Sequence, residues 1–219
     1  MCGRFTLVHD INAVAKAFNV PVPPSLQTAP RYNIAPTQNV VTILSNGATH
    51  LDLLRWGLIP SWAKDESIGS KMINARAETL AEKPSFKRLL TSKRCLVVAD
   101  GFYEWKKEQG GKTPMYITLK SNEPFAFAGL WDTWKSPDGE QIRTCTLITT
   151  QPNELVASIH NRMPAILSYE AREEWLDPSL HDEHVLLPLL TSYPAEEMSA
   201  RPVSRLVNNP QYEGAELIA

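Results

Sequence analysis

Cysteine stands at position 2, directly behind the initiator methionine, in the opening stretch MCGRF. A residue this small at position 2 predicts removal of Met1, which leaves Cys2 as the first residue of the mature chain. An α-amino group titrates near ~7.7–8.0 and a free thiol near ~8.5, so both groups of Cys2 are expected to be partly deprotonated at neutral pH. Together they form a 1,2-aminothiol. The amine attacks an aldehyde to give an imine, and the thiolate closes on the imine carbon to give a five-membered thiazolidine. Both groups sit on one residue, so ring closure is effectively unimolecular. The same amine has a second possible use, as the base for its own thiol, which is the device of N-terminal nucleophile hydrolases. Glutamine amidotransferases of that class also begin Met-Cys-Gly, so the first three residues leave both chemistries open.

Four other stretches hold groups that serve such chemistry. RYNIAPTQ brings Arg31, Asn33 and Thr37 around a proline. KMINARAET places Asn74, Arg76 and Glu78 at alternating positions. VVADGFYEWK sets Glu104 among aromatics just past a strand, and ASIHNRMPAIL puts His160 at a helix end with Arg162 and Pro164 behind it. Each has a plainer reading. Glu104 suits the outer face of an alternating strand, and His160 suits a helix C-terminus, where the macrodipole favours it. Asn74 suits a turn, Arg76 and Arg162 suit a solvated surface, and Trp62 of WGLIPSW suits the core. His181 and His184 have a metal-like i, i+3 spacing but lie in an acidic stretch with no cysteine nearby, so no metal and no cofactor are expected. Cys95 and Cys145 lie inside apolar strand-like runs and are read as buried packing residues.

The elements that must hold these groups follow from patterning. Of 219 residues, 43% are hydrophobic, enough for a sizeable core in one domain spanning 1–219. No run approaches the ~20 apolar residues of a membrane span, and the N-terminus lacks the pattern of a secretory signal. A cytoplasmic protein is expected, and nothing demands more than a monomer. Three widely spaced cysteines without a Cys-x-x-Cys pair argue against a disulfide framework and a structural zinc site. The net charge is −2, but residues 1–110 carry +5 and residues 111–219 carry −7, which permits one basic face.

Asp10 caps a helix over DINAVAKAF, and Pro84 opens one over KPSFKRLLTS. NELVASI and SYEAREEWL give two more. Strands are expected over QNVVTILS, THLDLLRWGLIP, RCLVVADGFYEWK, PMYITLK, PFAFAGLWDTW, IRTCTLITT and near MSARPVS, with a turn at Asn46-Gly47. The stretch PVPPSLQTAPRYNIAP holds five prolines and reads as an extended loop. SWAKDESIGSKMINARAET reads as polar loop. Strands joined by short turns predict an α+β fold whose core is a mainly antiparallel, curled, barrel-like sheet with short flanking helices.

MCGRF, RYNIAPTQ, LRWGLIPSWAKD, INARAET, RCLVVADGFYEW and IHNRMPAIL, in this order and spacing, resemble the SOS response-associated peptidase (SRAP) family over residues 2–205. The resemblance implies recognition of abasic sites in single-stranded DNA and a covalent crosslink through Cys2, with protection of the site from strand cleavage. It implies Glu104 as proton shuttle, His160 in imine formation and reversal, and Asn74 orienting the sugar. It places Arg76 and Arg162 on backbone phosphates, with Arg4 and Asn33 as further candidates. Trp62 is a candidate platform for the flanking bases. A lyase-type activity and self-removal of Met1 are further implications. An N-terminal nucleophile hydrolase and a non-catalytic reader of damaged DNA are the alternatives.

Overall fold

The computed structural model describes residues 2–219. Met1, whose removal the sequence leads one to expect, lies outside the described residues. In chain order the elements are β1 (Arg4–Leu7), α1 (Ile11–Phe18), β2 (Arg31–Ile34), β3 (Asn39–Ser45), β4 (Thr49–Trp56), β5 (Asn74–Arg76), α2 (Pro84–Ser92), β6 (Arg94–Ala99), β7 (Gly101–Glu108), β8 (Gly111–Leu119), β9 (Phe125–Lys135), β10 (Gln141–Thr150), α3 (Glu154–Ala157), β11 (Met163–Pro164), α4 (Tyr169–Leu176), α5 (Glu183–Leu186) and β12 (Met198–Pro202). Asp10 caps α1 by accepting from the backbone N–H groups of Asn12 and Ala13, and Pro84 sits in the first turn of α2.

Five strands, β10–β4–β3–β6–β9, close into a barrel because β9 and β10 also pair with each other. A closed ring leaves no unpaired edge. Pairing is antiparallel except where β10 meets β4, in parallel at Thr144–Arg55. The far end of β10 then takes two short additions, β5 in parallel and β11 antiparallel. A second antiparallel sheet runs β12–β8–β7–β1–β2. Both sheets bury apolar faces in one cluster. The fold is thus the expected α+β arrangement with a barrel core. Among the described residues no helix is long and apolar enough to cross a membrane.

Three expectations need correction. RCLVVADGFYEWK is two strands in two different sheets, not one. Asp100 makes the corner: its buried carboxylate accepts from the backbone N–H groups of Val8 and His9 and from the Thr6 hydroxyl, and its own N–H donates to Thr6 O at 3.0 Å, which ties the chain to β1 as it passes from one sheet to the other. Within the proline-rich stretch, Arg31–Ile34 is strand β2, because it falls in the proline-free interval between Pro30 and Pro36 and is free to join the edge of β1. The polar segment after Trp62 contains a 3-10 helix at Glu66–Lys71 and strand β5, whose partner β10 is some 70 residues away in sequence and left no local signal.

The barrel fixes the start of the chain through aromatic packing. Phe5, on β1, is fully buried, with its ring 5.1 Å from Trp56 and 5.7 Å from Phe127 of the barrel. An extended segment two residues from the terminus is thereby clamped between sheets. The segment after β4 is tied down as well. Gly57, at φ +124°, runs so close to Gly69 that a Cβ on it would meet the Gly69 carbonyl oxygen at 2.8 Å. Ile59 N–H donates to the Thr144 hydroxyl and Ser61 N–H to Asp132. Trp62 therefore stands on a rigid loop, yet its own ring is 63% exposed.

Candidate active site

Strand β1 lies against β7 with Arg4 opposite Tyr103 and Phe5 opposite Phe102. Continuing that antiparallel register carries the chain start alongside Glu104. Cys2 is fully buried, and its Sγ lies 3.7 Å from the Arg4 carbonyl oxygen. Asn74, on β5, reaches across from the barrel, and its Nδ2 donates to the Cys2 carbonyl oxygen at 2.9 Å. The Asn74 Oδ1 is buried and accepts no hydrogen bond among the described residues. One amide therefore ties Cys2 to the barrel and keeps an acceptor in reserve, a costly arrangement unless a donor arrives.

Glu104 is buried on β7 opposite Met115. Burial disfavours its anion and raises its carboxyl to about 7. The Cys2 thiol is pushed far up, first by burial and then by the nearby Glu104 charge. This corrects the expected partly ionised thiol. In the folded protein the sulfur holds its proton, because an anion there would be desolvated and next to a carboxylate.

His160 follows α3, and its backbone N–H donates to Val156 O at 2.8 Å. His160 Nδ1 lies 3.1 Å from the Arg162 backbone N–H and 3.3 Å from the Arg162 carbonyl oxygen, so the turn after α3 holds the ring through this one nitrogen. Partial burial chiefly lowers the ring's affinity for a second proton, Lys112 and Lys107 add to it, and the Arg162 carbonyl opposes it. Glu104 and His160 line the same cleft, together with Trp105, Lys107, Lys112 and Asn161. The four expected chemical residues, drawn from β5, β7, the segment before β1 and the turn after α3, therefore converge.

Trp105, Lys107 and Lys112 were not singled out from sequence. Trp105 donates through Nε1 to Asn208 Oδ1 at 2.8 Å. Lys107 and Lys112 face each other across the β7–β8 hairpin. Like charges directly opposite are unfavourable in a sheet. The tight turn at Gln109-Gly110 was the available signal, since it sets the two lysines opposite each other.

The arginines and Asn33 divide sharply. Arg76 is exposed and has no ion-pair partner among the described residues. Arg162 is buried and makes a two-pronged pair with Glu78, Nη1 at 2.6 Å and Nη2 at 2.9 Å. Trp62, exposed as it is, is not a core tryptophan. Asn33 does not lie on a surface at all. It is fully buried, with Nδ2 donating to the carbonyls of Asn209 and Tyr212 at 2.9 Å and Oδ1 accepting from Arg4 Nη1 at 2.8 Å. Arg4 also donates to Val207 O at 2.6 Å. The two form a clasp on the C-terminal segment, because that loop's carbonyls find no strand partners. Asn33→Ala is expected to destabilise the fold by about 2–3 kcal/mol, read as a lowered midpoint in denaturant, since it strands several buried polar groups at once.

The fold agrees with what comparison with known proteins finds. The sequence profile described as SOS response associated peptidase (SRAP) matches residues 1–210. The protein belongs to the SRAP family. Within it, the chain is 53% identical to the abasic site processing protein YoqW of Bacillus subtilis (strain 168), over 100% of this chain and 99% of that one. It is 32% identical to the abasic site processing protein YedK of Escherichia coli (strain K12), over 100% and 99%. It is 35% identical to the abasic site processing protein HMCES of Gallus gallus, over 86% of this chain and 66% of that one. A crystal structure of a Bacteroides thetaiotaomicron protein superimposes with a TM-score of 0.89 at 30% identity, over 99% and 98% of the two chains. The barrel, the clamped N-terminus and the cleft are thus carried on a SRAP fold.

Proposed function

We propose that this protein senses abasic sites in single-stranded DNA and captures them covalently as a thiazolidine on Cys2, after loss of Met1. The observation that carries the reading is the enclosure of Cys2 between Glu104 and Asn74, at a cleft that His160 also lines. The names of the SRAP relatives support the abasic site as the substrate.

The residues divide the work as follows. An abasic sugar in its open form presents an aldehyde. The Cys2 amine adds to it, and loss of water gives a protonated imine. Glu104, half-ionised near neutral pH, takes a proton from the sugar hydroxyl on ring opening and returns one to the departing water. His160 hydrogen-bonds the oxygen that leaves C1′. The thiol then adds to the imine carbon. Its proton passes to Glu104, and the nitrogen becomes a secondary amine. The balance is aldehyde plus aminothiol giving thiazolidine plus water. A sulfur that keeps its proton until the cationic imine forms reacts second, which orders the steps. The Asn74 Oδ1 accepts from the sugar or from the new ring nitrogen.

The ring also explains protection. A bare imine at an abasic site promotes β-elimination and strand scission, and sulfur capture removes the imine. Arg76 and Arg162 hold the backbone without reading sequence, and Trp62 offers a stacking face.

The test is a denaturing gel of the protein with single-stranded DNA carrying one abasic site, paired with the intact mass of the purified chain. A heat-stable adduct, with protein mass lacking Met1 and adduct mass equal to the sum of the two components less one water, is the expected result. Protein that retains Met1 and still forms the full adduct overturns it. Peptide or glutamine turnover without DNA would instead favour the hydrolase reading.

A further inference from the structure

Arg162 is placed oddly for a residue that grips a phosphate. Its side chain is only 10% exposed, while that of Glu78, which it pairs with, is 43% exposed. Nη1 and Nη2 both donate to the Glu78 carboxylate, and Nη2 donates to Thr149 O at 2.6 Å as well. The Nε is buried and has no partner among the described residues. The outward edge of the guanidinium, which alone could offer a fork to a ligand from solvent, is therefore occupied by Glu78. A carboxylate and a phosphate compete for that fork with the same geometry. Gln151 Nε2 donates at 3.1 Å to Glu78 Oε1, the oxygen that Arg162 Nη1 also uses. Exposed Arg76 lies opposite Thr149 in the β5–β10 ladder, and Arg162 donates to the Thr149 carbonyl, so both arginines adjoin one residue of β10.

We infer that Glu78 is an internal stand-in for a DNA phosphate: strand binding exchanges its carboxylate for a backbone phosphate on Arg162, so Glu78 lowers affinity for the strand and hastens its release. This rests on the reading above, that a single strand passes over Arg76 and Arg162. The exchange replaces one anion by another on a desolvated guanidinium, so Arg162 is never left buried and unpaired. Glu78 moves outward, where it is already partly exposed and where Gln151 can keep hold of it. The phosphate must displace a carboxylate that already holds the guanidinium, so affinity is reduced by the strength of the displaced pair. An abasic-site sensor gains from this, because undamaged strands are released while a damaged one is retained by the covalent bond. Glu78 touches no reacting atom and acts only through Arg162.

The experiment uses the whole chain and an undamaged single-stranded oligonucleotide, which has no aldehyde and so cannot form the adduct. Fluorescence anisotropy gives Kd across a salt series for the unaltered protein, Glu78→Gln, Arg162→Gln and the double variant. Glu78→Gln is expected to bind about five-fold tighter with an unchanged salt slope. Arg162→Gln should reduce the slope of log K against log salt by about 0.7, the loss of one single-strand phosphate contact. The double variant should show no gain over Arg162→Gln. A merely structural Glu78 would move none of these upward. Tm is measured on each variant. If Glu78→Gln proves unstable, Glu78→Asp, with the charge on a shorter arm, should still give a smaller gain. Unchanged or weaker binding by a folded Glu78 variant overturns the inference, as does a gain that survives loss of Arg162. If the unaltered protein binds and crosslinks but the Glu78 variants do not tighten, only this inference falls. If the unaltered protein binds no strand, the proposed function falls with it.

Discussion

Cys2→Ala forms no heat-stable adduct with abasic single strands, while its binding to undamaged strands stays within about two-fold of the unaltered protein. The amine survives in this variant, but an imine without a neighbouring sulfur hydrolyses or eliminates. Cys2→Ser separates the two roles further. It still engages the site through its amine, crosslinks weakly, and shows more strand cleavage, because oxygen closes the ring less favourably than sulfur. The loss of stable adduct should reach at least about 100-fold, given how much of the closure depends on having both groups on one residue. Quantified denaturing gels check it, with cleaved strand scored in the same lanes. Adduct at the unaltered level from Cys2→Ser would rule out the ring as the trap. The side chain is small and its neighbours keep their packing, so folding is not the variable.

Glu104→Gln is the second large effect, and it pulls activity and stability in opposite directions. Removing a proton shuttle is expected to slow adduct formation about 100-fold or more. In the unaltered protein the rate should peak near pH 7, where the carboxyl titrates and both of its forms are present, and fall on either side. The variant should lose that peak. Stability follows from the sign of the shift. The folded value, about 7, lies above the ordinary 4.5. The favourable contribution of the neutral acid is therefore complete below about pH 4.5 and is lost as pH rises through 7. Glutamine is neutral throughout. At pH 8 the variant should be more stable by about 3 kcal/mol, and at pH 4 the two proteins should coincide. Denaturant midpoints at both pH values decide this. A variant that is less stable at pH 8 would mean that burial is not what raises the carboxyl.

The inference on Glu78 adds a third kind of outcome, a gain of binding on removal of a charge. It concerns how firmly a strand is held before chemistry, whereas Cys2 and Glu104 govern what happens after. The three sets of variants are therefore separable by assay: adduct, pH profile and non-covalent Kd.

The sequence alone was sufficient for Cys2 as an aminothiol, because that chemistry belongs to one residue and needs no partner to be recognised. It was sufficient for α1 and α2, whose caps are local, and for most barrel strands, whose apolar patterns are continuous. It pointed to Asn74, Glu104 and His160 by motif, but not to what joins them. Only tertiary structure decided that RCLVVADGFYEWK turns a corner at Asp100, since the groups that satisfy Asp100 come from the start of the chain. Only tertiary structure decided that Asn33 clasps the C-terminal segment instead of facing a ligand, and that Arg162 is already paired with Glu78, its partner 84 residues away. The protonation of Cys2 and the raised carboxyl of Glu104 belong to the same class. Local propensity and side-chain chemistry are written in neighbouring residues. Burial, and the charges that burial brings together, arise only when distant segments close over one another.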